Sequence, residues 1–303
     1  MTRDLKNYIA KHSTRSIPVG YSAADVREIL LDTWNYLQCT TGSDASDPSR
    51  VDLFALNSYS WCGDSSFTTS GYDVLVSDFS KTTVPVFFSE YGCNKPSPRV
   101  FTEVPALYGP LVAPVLSGGL VYEFSQEDSN FGLVTINADG SAKLLSDYDA
   151  LQKQYNTLNV TTLQSEAAQN TTVSPPQCSS SLITNKGFAT NFTIPSLPDG
   201  AEDLINNGIS NAPVGKIVTV SDTKVTPQVQ GSNGQAISNL AITPLKDDES
   251  NTPSGQTQSA STPTSSTTSS APAATTSKKS GASTLQASLG ALLAVGLLAV
   301  VLL

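Results

Sequence analysis

Up to about residue 157, short apolar runs alternate with stretches in which apolar side chains return every third or fourth position. Residues 4–11 read as the end of a helix, followed by a short strand at 17–20. Residues 24–37 have helical spacing, with Val26, Leu30, Thr33, Trp34 and Leu37 on one face. The run 51–59 (Val-Asp-Leu-Phe-Ala-Leu-Asn-Ser-Tyr) predicts a strand, 72–79 a helix, and 84–90 a second apolar strand. A helix is expected over 102–116, around its prolines, and a third apolar strand over 118–124. Residues 131–145 predict a β-hairpin turning at Asp139-Gly140, and 147–156 a closing helix.

Apolar strands separated by helical stretches argue for an α/β fold with a parallel sheet or barrel. Each strand ends in polar or ionisable residues: Asn57 and Tyr59, Glu90 and Tyr91, Tyr122 and Glu123. In a (β/α)8 TIM barrel that C-terminal rim carries the catalytic groups. Four strands are about half of such a barrel, which takes roughly 250 residues. The expectation is the C-terminal half of a barrel over residues 1–157, with the N-terminal half missing from this sequence.

The rest of the chain reads differently. Residues 158–249 hold Cys178, short strand-like pieces such as 216–220, and too few large apolar residues for an independent core; they are expected to be a linker and small extension tied by Cys178. Over 250–280, 18 of 31 residues are Ser or Thr with interspersed Pro. Such a segment cannot bury enough apolar surface to offset its ordering entropy, so 250–282 reads as an extended stalk with O-glycosylation character. Within the final segment 283–303, residues 285–303 are uncharged and almost wholly apolar, preceded by the small residues Ser280-Gly281-Ala282-Ser283. Small triplet, short spacer and apolar tail form the pattern of a GPI-attachment signal, favoured over a tail-anchored helix, with Ser280 as the candidate anchored residue. The plasma membrane is then a partner through that anchor, and the protein is expected at the extracellular face or cell wall. An anchor implies secretion, yet residues 1–8 carry no apolar signal segment, which again suggests missing N-terminal sequence.

Composition narrows the chemistry. With 17 Lys+Arg against 26 Asp+Glu the net charge is −9, which disfavours a nucleic-acid surface. One His, His12, expected as an ordinary surface or helix-end residue, leaves no supply for a His-dependent triad. No metal cluster, phosphate-binding glycine loop or Gly-x-Ser-x-Gly elbow is present, so no metal or cofactor is expected. Four cysteines (39, 62, 93 and 178) form an even set without C-x-x-C spacing, which in a secreted chain means two disulfides of open connectivity. Glycosylation sequons at Asn159, Asn170 and Asn191 suit the same compartment. Carboxylates and aromatics remain: Glu90, Glu123, Glu127 and Asp128 with Tyr59, Trp61, Tyr91 and Tyr122. Carboxylates beside aromatic rings suit carbohydrate, because sugar C–H faces stack on rings and a carboxylate can attack an anomeric carbon.

The run 86–94, Val-Phe-Phe-Ser-Glu-Tyr-Gly-Cys-Asn, resembles the nucleophile motif of the fungal β-1,3-glucanosyltransferases of glycoside hydrolase family 72. Residues 57–63 (Asn-Ser-Tyr-Ser-Trp-Cys-Gly), 67–72, 119–127, 18–23 and 130–134 fit the same family in order. The resemblance implies a (β/α)8 barrel that cleaves an internal β-1,3-glucan linkage and passes the new end to another glucan chain. It implies Glu90 as nucleophile, Tyr59 in contact with that carboxylate, Tyr122 lining the donor subsite, and Asp25 with Arg27 on the acceptor side. It also implies the pairings Cys62–Cys93 and Cys39–Cys178.

A retaining enzyme needs a second carboxyl about 5–5.5 Å from the nucleophile. The family places that acid/base Glu after an Asn, and no Asn-Glu pair occurs in these 303 residues. The chain is therefore expected not to turn over glucan by itself. The alternatives are a non-catalytic, GPI-anchored glucan-binding wall protein and a β-1,3-glucan hydrolase.

Overall fold

The structure, a computed structural model, describes residues 1–42, 47–159, 163, 173–216, 218–244, 249–250 and 258–259. Most of the stalk (251–257 and 260–282), the apolar tail, Ser280 and Asn170 lie outside the described residues, as do the expectations attached to them.

Residues in the first 157 build an α/β layer. Helix α1 (Thr2–His12) leads into β1 (Gly20–Ala24), α2 (Arg27–Gln38), β2 (Leu53–Asn57), α3 (Tyr72–Phe79), β3 (Val86–Tyr91), α4 (Glu103–Leu107) and β4 (Gly119–Val121). The four strands form one sheet in the order β1-β2-β3-β4, every pair parallel. This is the sheet expected from the apolar runs. The first strand lies later than the expected 17–20: Gly20–Ala24 pair one to one with Leu53–Asn57, whereas Ile17–Val19 only lead in. Helix α2 begins at Arg27 rather than 24, because Ala24 is still held in the sheet.

One face of the sheet carries the core. Phe54, Leu56, Val86 and Phe88 are fully buried against the helices. Leu30 and Trp34 of α2 and Tyr72, Leu75 and Phe79 of α3 recur at helical spacing to meet them. The Trp34 and Phe79 rings meet edge to face at 5.6 Å, and Phe54 packs on Phe79 at 5.8 Å. The opposite face is less buried: Leu53, Asn57, Phe87 and Ser89 are half-buried and Ser22 exposed, around a buried Ala55. There Ser22 and Ser89 both donate to Asn57 Oδ1, at 3.1 and 2.5 Å, forming a polar rung across three strands.

The helix expected over 102–116 is one short helix, α4, followed by turns from Tyr108 onward. Pro105 sits in its first turn, where no amide donor is required, but Gly109, Pro110 and Pro114 stop it from propagating. A hairpin of β5 (Val134–Ile136) and β6 (Ala142–Leu144) follows β4, turning at Gly140 with φ 82°. Helix α5 (Ser146–Tyr155) closes this part, and Val229–Gln230 runs parallel to β6.

The extension lies along α2. Cys39 and Cys178 are disulfide-bonded across 139 residues. Buried Asp32 accepts the backbone N–H of Thr184 and Asn185, at 2.9 and 2.7 Å, and Phe192 stacks on Tyr36 at 5.0 Å. Helix α6 (Ala201–Asn207) packs on α1, where His12 Nε2 lies 3.0 Å from the Ile205 carbonyl oxygen. Exposed His12 thus sits at a helix end. The strand-like run 216–220 forms no strand among its described residues. A second compact unit includes 220–226 and 237–244, in which Lys224 bridges Ala241 antiparallel.

Glu103 of α4 is 4% exposed, and burial pushes its carboxyl from 4.5 up to about 7. A carboxyl raised on folding favours the native state most below its unfolded value, and that advantage is lost as pH rises through the folded one. Stability carried by Glu103 therefore falls between about pH 4.5 and pH 7, by up to about 3 kcal/mol. Glu103→Gln, neutral at every pH, should flatten that decline and raise the urea midpoint at pH 8. Urea unfolding at pH 5 and pH 8 of wild type and variant measures both.

Candidate active site

The C-terminal ends of β1, β2, β3 and β4 bring the expected residues to one rim. Glu90 occupies the penultimate position of β3, opposite Asn57 of β2. The β2–β3 register slips by one residue here: Leu56 pairs with Phe88, but Asn57 pairs with Glu90. Strict alternation would point Glu90 the way of Phe88, into the helix layer. The bulge re-aims it, as extra residues next to functional sites do. Its carboxylate instead meets Tyr59, two residues past β2, whose phenol donates to Oε2 at 2.6 Å.

Two constraints hold that pair. The Ser58 N–H donates to the Glu90 carbonyl at 2.9 Å, and the disulfide Cys62–Cys93 joins the loops that follow Tyr59 and Glu90. Gly92 stands between Glu90 and Cys93 at φ 113°, and a Cβ there would come within 3.2 Å of Arg99 Nη1. The position therefore favours glycine for its dihedral, and any side chain there would crowd Arg99.

An aromatic wall faces the pair. Tyr122 follows β4, with its ring 6.4 Å from that of Tyr59, while Phe131 lies 5.6 Å from Tyr59 and 5.5 Å from Tyr122, all edge to face. Burial, then the hydrogen bond to Glu90 and the charges of Glu90 and Glu123, push the Tyr59 phenol well above the ordinary tyrosine range. A hydrogen bond to Glu123 and its charge push Tyr122 up as well. Both phenols stay protonated, so Tyr59 serves Glu90 as a neutral donor.

Asp25 and Arg27 come together as an ion pair at the end of β1, Arg27 Nη2 donating to Asp25 Oδ2 at 3.0 Å. Ser58 Oγ donates to the same oxygen at 2.8 Å, which ties Asp25 to the residue beside Tyr59. Arg27 also reaches the Gly71 carbonyl at 3.2 Å and Ser60 Oγ at 3.5 Å. Its guanidinium is therefore occupied within the fold.

Two aromatics expected at the rim face elsewhere. Tyr91 is fully buried in the helix layer, its hydroxyl 2.7 Å from that of Tyr155, because the bulge that turns Glu90 outward returns Tyr91 to the core. Trp61 is 6% exposed and donates from Nε1 to Thr102 Oγ1 at 2.8 Å, which leaves no free face for a sugar. Residues that sequence reasoning missed are Phe131, Arg99 and the serines Ser22 and Ser89 that bond the expected Asn57. Phe131 could have been found, since it opens the Phe-Gly-Leu-Val run that belongs to the family resemblance. Asn159 and Asn191 are exposed. Among the described residues no three His, Cys, Asp or Glu side chains gather as metal ligands do.

A bulge-aimed carboxylate held by a tyrosine thus stands at the C-terminal rim of the parallel strands, faced by further rings. The sequence profile of glycoside hydrolase family 72, described as glucanosyltransferase, matches residues 1–159. The chain belongs to that family. It is 50% identical over 251 residues to the 1,3-beta-glucanosyltransferase gel2 of Aspergillus fumigatus, covering 83% of this chain and 52% of that protein. It is 46% identical over 228 residues to the probable 1,3-beta-glucanosyltransferase GAS3 of Saccharomyces cerevisiae, covering 72% and 43%. Among solved structures, Saccharomyces cerevisiae Gas2p in complex with laminaripentaose is similar, at TM-score 0.57 and 34% identity over 66% of this chain and 43% of that one. The chain spans about half the length of the curated relatives it matches.

Glu90→Gln removes an anion and a charged hydrogen-bond acceptor from the Tyr59 hydroxyl. The Tyr59 phenol should then titrate lower than in the wild type, yet still above an ordinary tyrosine, because its burial persists. Ultraviolet difference titration of the two proteins, with Tyr59→Phe to assign the signal, checks this.

Proposed function

We propose that this chain carries the nucleophile side of a retaining β-1,3-glucanosyltransferase. The observation that carries the reading is the 2.6 Å hydrogen bond from Tyr59 to Glu90 Oε2, opposite the Tyr122–Phe131 rings. That bond orients the carboxylate and leaves Oε1 for attack. Oε1 would attack the anomeric carbon of a β-1,3-linked glucosyl unit as the bond to the leaving glucan chain breaks and its oxygen takes a proton. A hydroxyl of a second glucan chain would then displace Glu90, giving up its proton and regenerating the carboxylate. Tyr122 and Phe131 offer edges and faces to sugar C–H surfaces, and Asp25 stands on the acceptor side.

By this reading the four parallel strands are the C-terminal arc of a (β/α)8 barrel. The partly exposed second sheet face supports it, since parallel sheets are normally covered on both faces. So does pairing of β1 and β4 on one side only among the described residues. Proton transfer to the leaving oxygen needs the acid/base Glu that the family places after an Asn, and none of the 303 residues fills that place. We therefore expect no turnover of natural glucan by this chain alone. Its placement at the outer cell surface, through a GPI anchor at Ser280 and beyond a Ser/Thr-rich stalk, rests on the sequence pattern of 250–303 and on the sequons at Asn159, Asn170 and Asn191.

A donor with a good leaving group needs no acid to depart. A 2-deoxy-2-fluoro laminaribiosyl fluoride should therefore glycosylate Glu90, giving a mass shift on its proteolytic peptide. Glu90→Gln should abolish the shift, and unmodified laminaripentaose should yield no longer products. Laminaripentaose binding with Glu90 unlabelled would instead favour the glucan-binding alternative.

A further inference from the structure

Strand β4 ends at Val121, and beyond it the aromatic wall is held by scattered backbone bonds: the Tyr122 N–H donates to the Tyr91 carbonyl at 2.9 Å, the Glu123 N–H to the Phe131 carbonyl at 3.0 Å, and Ser125 makes an isolated bridge to Val134. A further support, which gathers several of these segments at once, is an arginine that the mechanism does not use. The Arg99 side chain is 1% exposed. Nη1 donates to the carbonyls of Tyr122 at 2.7 Å and Gly92 at 3.3 Å, and Nη2 to those of Phe131 and, at 3.5 Å, Gly132. Nε donates to Asp147 Oδ2 at 2.6 Å, and the Arg99 N–H to Asp147 Oδ1 at 3.2 Å. The guanidinium carbon also lies 4.7 Å from the Phe101 ring centre and 5.8 Å from that of Phe131.

These contacts are selective. Gly92 follows the nucleophile strand, Tyr122 follows β4, and Phe131 ends the loop that completes the wall. Three segments meet the site, and one rigid fork bonds the backbone of each. Those carbonyls lie beyond the ends of the strands; that of Phe131 also accepts the Glu123 N–H at 3.0 Å, while those of Gly92 and Tyr122 take Arg99, and a buried carbonyl without a partner is costly. A lysine could reach one or two of them but lacks the planar fork that bonds several at fixed angles. Asp147, at the start of α5, compensates the buried charge and fixes Nε, so the remaining donors face the rim.

We propose that Arg99 is the positioning residue of this site: its guanidinium, held by Asp147, sets the separation between the Tyr122–Phe131 wall and the Tyr59–Glu90 pair. It touches neither Glu90 nor Tyr59 and acts through the backbone on which the rings stand. Its effect on glycosyl transfer rests on the glucanosyltransferase reading; its effect on geometry does not.

The test uses the full chain and two readouts. One needs no sugar: nuclear Overhauser contacts between the Tyr59 and Phe131 rings report the wall, and those between Trp34 and Phe79 report the helix layer. The other is the rate at which the 2-fluoro laminaribiosyl donor labels Glu90. Arg99→Lys should lose the Tyr59–Phe131 contact, keep the Trp34–Phe79 contact, and slow labelling by roughly 100-fold, the scale of an ångström-sized misplacement. A second variant, Arg99→Met with Asp147→Leu, removes the buried pair together, an exchange that well-packed apolar residues commonly tolerate. It should give the same split, so the proposal stays testable if the lysine variant does not fold. Retention of the Tyr59–Phe131 contact in either folded variant overturns the proposal. So does loss of both ring contacts in the double variant, which would mark Arg99 as a general folding residue. A wild type that is never labelled would sink the glucanosyltransferase reading, while the ring contacts would still decide the role of Arg99.

Discussion

Everything at the rim depends on the pairing of β2 with β3. These two strands supply the fully buried Phe54, Leu56, Val86 and Phe88, on which α2 and α3 rest. The same pairing slips by one residue at Asn57 and Glu90. Upstream of the slip, side chains alternate between the helix layer and the open face. At the slip a carboxylate that would have been taken out of water is turned toward the rim, where the Tyr59 hydroxyl meets it. Removing an isolated carboxylate from water is expensive enough that a buried Glu90 would be protonated or misfolded. The irregularity is what lets an apolar strand deliver a charged group.

The surrounding features answer a single problem, that of holding short irregular segments still without a ladder. Cys62–Cys93 joins the two loops behind the pair, and the Asp25–Arg27–Ser58 group ties the end of β1 to the residue beside Tyr59. Arg99 does the same for the wall through carbonyls alone. Each device sits outside the strands and acts on the segment after one, so the rigid layer and the adjustable rim are separate parts. The extension follows a similar logic on the far side of the layer, where Asp32 and Cys39 fix residues 178–194 along α2.

Much of this was legible in the chain because it is local. Phe54–Leu56 and Val86–Phe88 are apolar runs too short for helices, and the spacing of Tyr72, Leu75 and Phe79 is helical. Glu90 stood out as a charge ending such a run beside Gly92 and Cys93, with structural and catalytic readings evenly open until the family motif around it was taken into account. What stayed hidden depends on contacts distant in sequence. The slip at Asn57 cannot be read from one strand, since it belongs to a pair. Arg99 looks like any surface arginine after Ser97-Pro98 until Asp147, 48 residues away, closes on it. The overlong helix at 102–116 came from weighing its apolar spacing above Gly109, Pro110 and Pro114. Tyr91 was misplaced for the reason Glu90 was found: the bulge moves both.

The central claim is that Tyr59, Glu90, Tyr122 and Phe131 form one saccharide site. Titrating the isotope-labelled chain with laminaripentaose and mapping shift changes over side chains tests it most directly. The account predicts saturable changes centred on those four residues, with Trp61 and Tyr91 unmoved. Changes clustered elsewhere on the chain, or none at saturating sugar, would contradict it.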